Sequence, residues 1–184
     1  DVERSRGLGD VYKRQVVRLL QITDPHLFKD TNKDLLGINT QASFAQVLTE
    51  IQASDFDYEL ILATGDLVQD SSDEGYRLFV EMTSGLDKPL FWIPGNHDFQ
   101  PKMVEFLNHH PINRLKHLLI GDNWQILLLD SQVSGVPHGE LSQYQLDWIG
   151  AKLAQNPSRF SLIVLHHHLL PCLLYTSDAA DDLI

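Results

Sequence analysis

Apolar and polar positions recur with two different periods along this chain, and the switches between them divide it into strands and helices. Val17–Thr23, Tyr58–Thr64, Leu90–Ile93 and Ser161–Leu165 are short runs rich in aliphatic, β-branched or aromatic residues, which predict buried strands. Phe44, Val47, Leu48 and Ile51 recur at helical spacing, with Asn39 or Thr40 placed to cap the helix they define. Ser71-x-x-Glu74 has the form of a capping box, opening a second helix whose apolar face includes Leu78, Phe79 and Met82. Pro101 suits the first turn of a helix running to about Asn108. Lys116–Ile120 and Trp124–Leu129, joined by Gly121-Asp122-Asn123, predict a hairpin. Ser142-x-x-Gln145 predicts the cap of a last helix with Leu146, Ile149 and Leu153 inward, and Lys29 to Asp34 reads as a polar loop. Such alternation predicts an α/β fold around a largely parallel sheet, and with no internal repeat or low-complexity linker a single domain is expected.

The two ends stand apart from this pattern. Asp10-Val-Tyr-Lys-Arg-Gln15 can be encoded as GAT GTG TAT AAG AGA CAG. The reverse complement of that string, read one base out of frame, translates as Cys-Leu-Leu-Tyr-Thr-Ser, the sequence of Cys172 to Ser177. Both strings resemble translated transposon-end adapter DNA. Residues 1–15 and 172–184 are therefore expected to be foreign, leaving 16–171 as the domain proper.

The charge balance narrows the choice of partners. The whole chain carries a net charge of −11, and residues 16–171 alone hold 10 Lys and Arg against 19 Asp and Glu. An acidic domain is a poor general ligand for nucleic acid or an anionic membrane. It can take a phosphate substrate where bound cations reverse the field locally. The sole cysteine, Cys172, lies in the suspect tail, so no disulfide is expected and a cytoplasmic setting is the simplest one. No apolar run reaches the ~20 residues that span a bilayer.

Chemistry-bearing residues gather where the predicted strands end. Asp24-Pro25-His26, Gly65-Asp66, Gly95-Asn96-His97-Asp98 and His166-His167-His168 each follow an apolar run. Ligands of open α/β sheets bind at the carboxyl ends of the strands. In extended backbone the donors of Asp24-x-His26 would point to one side and grip a metal together. Asp66 supplies a third donor whose two oxygens can bridge two cations, Asn96 a neutral amide oxygen, and His97 can stay off the metal as a proton donor. Carboxylates and amides mixed with imidazoles suit Mn, Fe, Zn or Mg. Singly, each residue is commonplace, since an Asp or Asn at a strand end more often makes a turn or a helix cap. Together and in this order they predict a metal site. His109, His110, His117 and His138 are expected in helix-end, strand and loop roles, and Trp124 and Trp148 in core packing.

The strings ITDPHL, ATGDLVQD, IPGNHDFQ and VLHHHLLP resemble successive motifs of the calcineurin-like metallophosphoesterase superfamily. Within it, LLGINT, GNHDFQP and WQILLLDSQVSGVPHGELS are most similar to bacterial class III cyclic-AMP phosphodiesterases, a likeness covering 17–171. The resemblance implies a four-layer α/β/β/α sandwich with a two-metal centre. Asp24 and His26 would hold the first cation, Asp66 would bridge, and Asn96 and His166 would hold the second. His26, Asn96, His97 and His166 would also meet the substrate, with His97 as general acid or phosphate-binding group and Asp98 either orienting His97 or shaping the turn. His167 could hydrogen-bond nearby, and His168 is as readily structural. The implied reaction is hydrolysis of 3′,5′-cyclic AMP to 5′-AMP by a hydroxide that two cations make available near neutral pH. Other phosphoesterase activities (nuclease, nucleotide pyrophosphatase, phosphomonoesterase) and a non-catalytic interaction module are the alternatives. GDLVQD and GNHD here differ from the GDYVDRG and GNHE of protein Ser/Thr phosphatases.

Two departures from the family pattern stand out. A later Gly-His-x-His motif, which would give each metal one further ligand, is not found in this sequence. This polypeptide is therefore expected to be weakly active or inactive, with part of its sheet left as an open edge. Leu169 stands where the related phosphodiesterases tend to have Pro.

Overall fold

The computed structural model describes residues 16–108, 112–113 and 116–169. His109, His110, and the two ends expected to be foreign lie outside them. The elements run β1 (Leu19–Ile22), β2 (Asp34–Leu35), β3 (Ile38–Asn39), α1 (Thr40–Ala53), β4 (Leu60–Ala63), α2 (Asp73–Thr83) and β5 (Leu90–Trp92). They continue with α3 (Gln100–Phe106), β6 (Ile112–Asn113), β7 (His117–Ile120), β8 (Trp124–Leu128), α4 (Gln143–Gln155) and β9 (Phe160–Val164).

Two sheets form the centre. The first has the order β1-β4-β5-β6 with every pair parallel, and the second the order β7-β8-β9. In the second, β7 and β8 make the predicted antiparallel hairpin and β9 joins β8 in parallel. All four residues of β4 are buried. Leu60 and Leu62 pack with Phe91 and Ile93 against Leu118, Ile126 and Leu128 of the second sheet. Ile61 and Ala63 point the other way, into a larger cluster with Phe44, Leu48, Tyr76 and Phe79 of the helices. A strand covered on both faces needs an unbroken apolar run, which is why YELILAT shows no alternation. The layers are therefore helices α1 to α3, first sheet, second sheet and α4, the expected sandwich.

Local signals mostly act where they were expected, with instructive shifts. Asn39 caps α1, its side chain accepting from the Ala42 amide at 2.8 Å. The cap of α2 is Ser72 rather than Ser71: Ser72 Oγ accepts from Gly75 N, while Ser71 turns with φ 49° and donates to the His97 carbonyl. The buried face of α2 is Gly75, Tyr76, Phe79 and Thr83, with Leu78 and Met82 only partly covered. α3 ends at Phe106 because the chain leaves helical geometry at Leu107. Directly after the polar loop stands an unforeseen two-residue hairpin, β2–β3, turning on Leu36 (φ 52°) and Gly37 (φ 81°).

The outer layer departs most from expectation. Leu146 and Leu153 of α4 are 46 % and 38 % exposed, not inward. The helix seats on the second sheet through Trp148, edge-on to His117, and through Gln145, whose amide brackets the backbone of Asp130. Among the described residues β9 is the edge strand, and its Phe160 lies exposed beside a half-exposed Trp124 instead of in a core. Phe79, fully buried and stacked on Phe44 at 6.0 Å, joins α2 to α1. Phe79→Ala should lower unfolding stability by about 3–5 kcal/mol, the usual cost of emptying such a site. A loss below about 1 kcal/mol in urea titration would show that this contact is not part of the core.

Candidate metal centre

The ends of β1, β4, β5 and β9 meet at one place, each delivering its motif. The loops after β1 and β4 are joined backbone to backbone: Asp24 N–H donates to Gly65 O at 3.1 Å, His26 N–H to Asp66 O at 3.0 Å, and Leu27 N–H to Leu67 O at 3.0 Å. The backbone through Asp24-x-His26 is not extended, as the sequence reading assumed. Asp24 (φ 55°), His26 (φ 44°) and Asp66 (φ 51°) all occupy the left-handed region. Each such residue costs about 1–2 kcal/mol. Strain of this kind persists where the surroundings impose it, as at functional sites. The convergence expected of Asp24 and His26 is reached all the same, by a turn rather than by a pleat.

Two glycines let the loops cross. A methyl group on Gly95 would sit 2.1 Å from Asp66 Oδ1, and one on Gly65 would sit 2.6 Å from His166 Nδ1. The GD and GN dipeptides are thus a close-approach requirement. Behind the crossing lies Asp98, buried, with its carboxylate accepting from the N–H groups of Gly95, Leu67 and Val68 and from the Tyr76 hydroxyl. Burial pushes its carboxyl up to about 6, against the pull of those donors. Of the two roles considered for Asp98, this bonding favours the structural one, a clamp between the β4 and β5 loops. Gln132 adds a second tie, its amide donating to Gly95 O at 2.7 Å.

At the centre stands Asp66, 1 % exposed. Its Oδ1 accepts from the His97 amide at 2.9 Å. Its Oδ2 lies 3.5 Å from His166 Nε2 and 3.9 Å from His26 Nε2, while His26 Nε2 is 3.6 Å from Asp24 Oδ1. Donor atoms of Asp24, Asp66 and His166 lie within 4.8 Å of one another, and so do those of His26, Asp66 and His97. Both groups share Asp66, the residue expected to bridge, but they set Asp24 with His166 rather than with His26, and they bring in His97, which was expected to stay off the metal. His166 Nδ1 meets the Thr64 carbonyl at 2.8 Å, so this nitrogen carries the proton and Nε2 is presented to Asp66. Asn96 lines the same open cleft of about 1110 Å³, with His138, His167 and His168 on its rim. His167 Nδ1 is engaged by the Ser131 hydroxyl at 2.7 Å. The cleft's other wall is apolar, formed by Leu35, Leu36 and Ile38 of the hairpin with Phe44 and Val47 of α1.

The electrostatics follow from one buried carboxylate among imidazoles. Burial pulls His166 down, but hydrogen bonding and charge from Asp66, with the Thr64 carbonyl and Asp24, outweigh it and hold the ring up to about 9. His26 is likewise raised, its burial overcome by Asp24 and Asp66. Asp66 is lowered: burial raises it, and His166, the His97 amide and His26 more than compensate. A buried carboxylate shared by several imidazole nitrogens, with oxygen donors beside it, fits divalent metals of the Mn, Fe, Zn and Mg type.

Sequence reasoning missed Thr64, Tyr76 and Gln132, and also Gln69, whose Nε2 lies 3.1 Å from His97 Nδ1. Gln69 and Thr64 lie inside a quoted motif, but nothing in their residue type marks them. Two outcomes follow. His166 is raised above its ordinary 6.5, so its stabilisation of the metal-free chain is fully present below that pH and is lost as pH rises through about 9. Urea stability in chelator should fall across this window while apparent Mn²⁺ affinity rises, and flat profiles would contradict the pairing. Gly95→Ala should abolish tight Mn²⁺ binding, measured by calorimetry; native affinity in that variant would refute the crossing.

Comparison with known proteins agrees with this geometry. Residues 17–183 match the family model for calcineurin-like phosphoesterases. The chain is 68 % identical over 159 residues to a 3′,5′-cyclic adenosine monophosphate phosphodiesterase, CpdA, of Haemophilus influenzae, covering 86 % of this chain and 58 % of that one. It is 52 % identical over 155 residues to the Escherichia coli K12 protein of the same name, covering 84 % of this chain and 56 % of that one. The chain thus spans under three-fifths of the length of these relatives. The crystal structure of TT1561 from Thermus thermophilus shares the fold, with a TM-score of 0.54 at 13 % identity over 90 % of this chain and 75 % of that one. The chain belongs to the calcineurin-like phosphoesterase family.

Proposed function

We propose that the whole protein to which this chain belongs hydrolyses 3′,5′-cyclic AMP to 5′-AMP, this chain by itself being weakly active or inactive, with Asp24, His26, Asp66, Asn96 and His166 holding two divalent cations. The convergence of Asp24, His26 and His166 upon the buried Asp66, with Asn96 lining the same cleft, carries the reading. The names of the Haemophilus and Escherichia relatives support the substrate. Iron or manganese are the proposed metals, with magnesium and zinc also suited to the donors. When bound, the cations would supply positive charge to offset the phosphodiester anion and a water acidified enough to attack near neutral pH.

The protein's own groups account for the rest. Asp66 is kept ionised by its donors, so it can serve as the shared carboxylate. His97, fixed through its own amide to Asp66 Oδ1, has its ring edge-on at 5.2 Å to His26, which lines the cleft. It would donate a proton to the 3′ oxygen as the bond from phosphorus to that oxygen breaks and water's oxygen becomes the new phosphate oxygen. Asn96 would stabilise the charge that grows on phosphorus oxygens. The apolar wall of Leu35, Leu36 and Ile38 provides room for the organic part of the substrate. A cytoplasmic setting, no affinity for nucleic acid, and a catalytic domain spanning residues 16–171 belong to the same proposal. Among the described residues no helix is long and apolar enough to cross a membrane.

His97→Ala should lower kcat on cyclic AMP by about 10²–10⁴, the usual contribution of a general acid, with metal still bound. Undiminished turnover would remove His97 from the mechanism. Assaying the Mn²⁺-loaded protein on cyclic AMP, 2′,3′-cyclic nucleotides and phosphomonoesters tests the substrate. Preference for either of the latter two would favour another phosphoesterase activity, and no hydrolysis by a chain extended to the length of its relatives an interaction module.

A further inference from the structure

We propose that the β2–β3 hairpin is the platform on which the base of the nucleotide lies, with Leu36 and Ile38 setting the preference for a base-bearing phosphate over a bare sugar phosphate. The hairpin belongs to the cleft that holds the metal donors: Leu35, Leu36 and Ile38 line it together with Asp24, His26 and Asn96. Leu35 pairs with Ile38 across the ladder, and Leu36 takes the first position of the turn between them. Leu36 and Ile38 are each 60 % exposed. Among the described residues neither joins nor packs against the two apolar clusters of the core. Adjoining large aliphatic side chains left in water, on the wall of a cleft with polar donors at its other end, mark a binding surface.

The turn supports this independently. Both of its central residues have positive φ, 52° at Leu36 and 81° at Gly37, a conformation for which Asn-Gly or Asp-Gly is the favoured pair. Leucine is disfavoured there by its own Cβ, and residues held in this way gather at binding sites. The hairpin is nonetheless fixed. Asn39, its last residue, donates from Nδ2 to the Thr31 carbonyl at 2.8 Å and accepts at Oδ1 from the Ala42 N–H at 2.8 Å, which ties loop, hairpin and α1 together. The aliphatic face is thus presented before any ligand arrives, and binding need not order a loose loop. Charge divides the cleft into two ends. Its acidic and imidazole groups come from the loops after β1, β8 and β9, whereas the hairpin and α1 contribute only apolar side chains and the hydroxyls of Thr40 and Ser43. An anionic phosphate with its cations belongs at the first end and an uncharged ring at the second. The identity of the base-bearing ligand rests on the hydrolysis proposed above, whereas the apolar platform is read from the hairpin itself.

Calorimetric titration of the Mn²⁺-loaded protein, extended to the length of its relatives, with 5′-AMP and with ribose 5-phosphate isolates the base, because the two ligands share sugar and phosphate. The native protein should bind 5′-AMP about tenfold more tightly, as burial of a ring against aliphatic side chains requires. Leu36→Asn and Ile38→Ser should each remove most of that preference and leave the affinity for ribose 5-phosphate unchanged. Asparagine also accepts the left-handed turn, so the urea midpoint of Leu36→Asn should equal or exceed the native one. Equal native affinities for the two ligands would overturn the proposal without recourse to any variant. So would variants that keep the full preference. Variants that lower the urea midpoint and both affinities together would overturn it as well, showing a hairpin covered by the rest of the longer chain rather than by a base. Absence of cyclic AMP turnover with the 5′-AMP preference intact would overturn the hydrolysis and leave the platform standing.

Discussion

Asp66 places a carboxylate at 1 % exposure beyond the tip of a strand that is itself buried on both faces. A charge so far from water is tolerated only where donors or cations surround it. Much of the structure around it answers that demand: the His97 amide on one oxygen, the His26 and His166 rings facing the other. The demand also explains the backbone. To bring donors from β1 and β5 close enough, Asp24 and His26 adopt left-handed turns, and Gly95 approaches within a distance that leaves no room for a side chain.

That arrangement is costly, and Asp98 is the part that stabilises it. Its carboxylate gathers amides from both sides of the loop crossing and the hydroxyl of Tyr76, which in turn accepts from the Phe99 amide at 2.8 Å. Tyr76 is fully buried on α2 and stacked on Phe106 of α3, so the clamp connects the site to the helical layer. The packing of the core and the geometry of the centre are thus linked through one helix residue. Tyr76 follows the Ser72 cap by one turn of α2 and brings its hydroxyl to the Asp98 carboxylate.

The parts of this design visible in the sequence are those with a period or a residue type to announce them. Four apolar runs marked the strands that carry the motifs, and the donors following them do converge on one cleft. His166, taken from three consecutive histidines because it directly follows the strand, is the one whose Nε2 faces Asp66. What stayed hidden depends on tertiary context. Helical spacing gives α4 a stripe of Leu146, Ile149 and Leu153 but cannot say whether anything covers it, and it is Trp148 and Gln145 that reach the sheet. The β2–β3 hairpin carried no turn signal because Leu36, not Asn or Asp, takes the left-handed position before Gly37. The left-handed conformations of Asp24 and His26 have no signature at all, since they are imposed by the neighbouring loop.

The central claim is that Asp66 is the carboxylate two cations share. Metal content after equilibrium dialysis, compared between the native chain and Asp66→Asn, tests it most directly, because the amide keeps the shape and the His97 contact while removing the charge. The account predicts two divalent ions bound to the native chain and the loss of both in the variant. Asp66→Asn holding both ions at native affinity would contradict it.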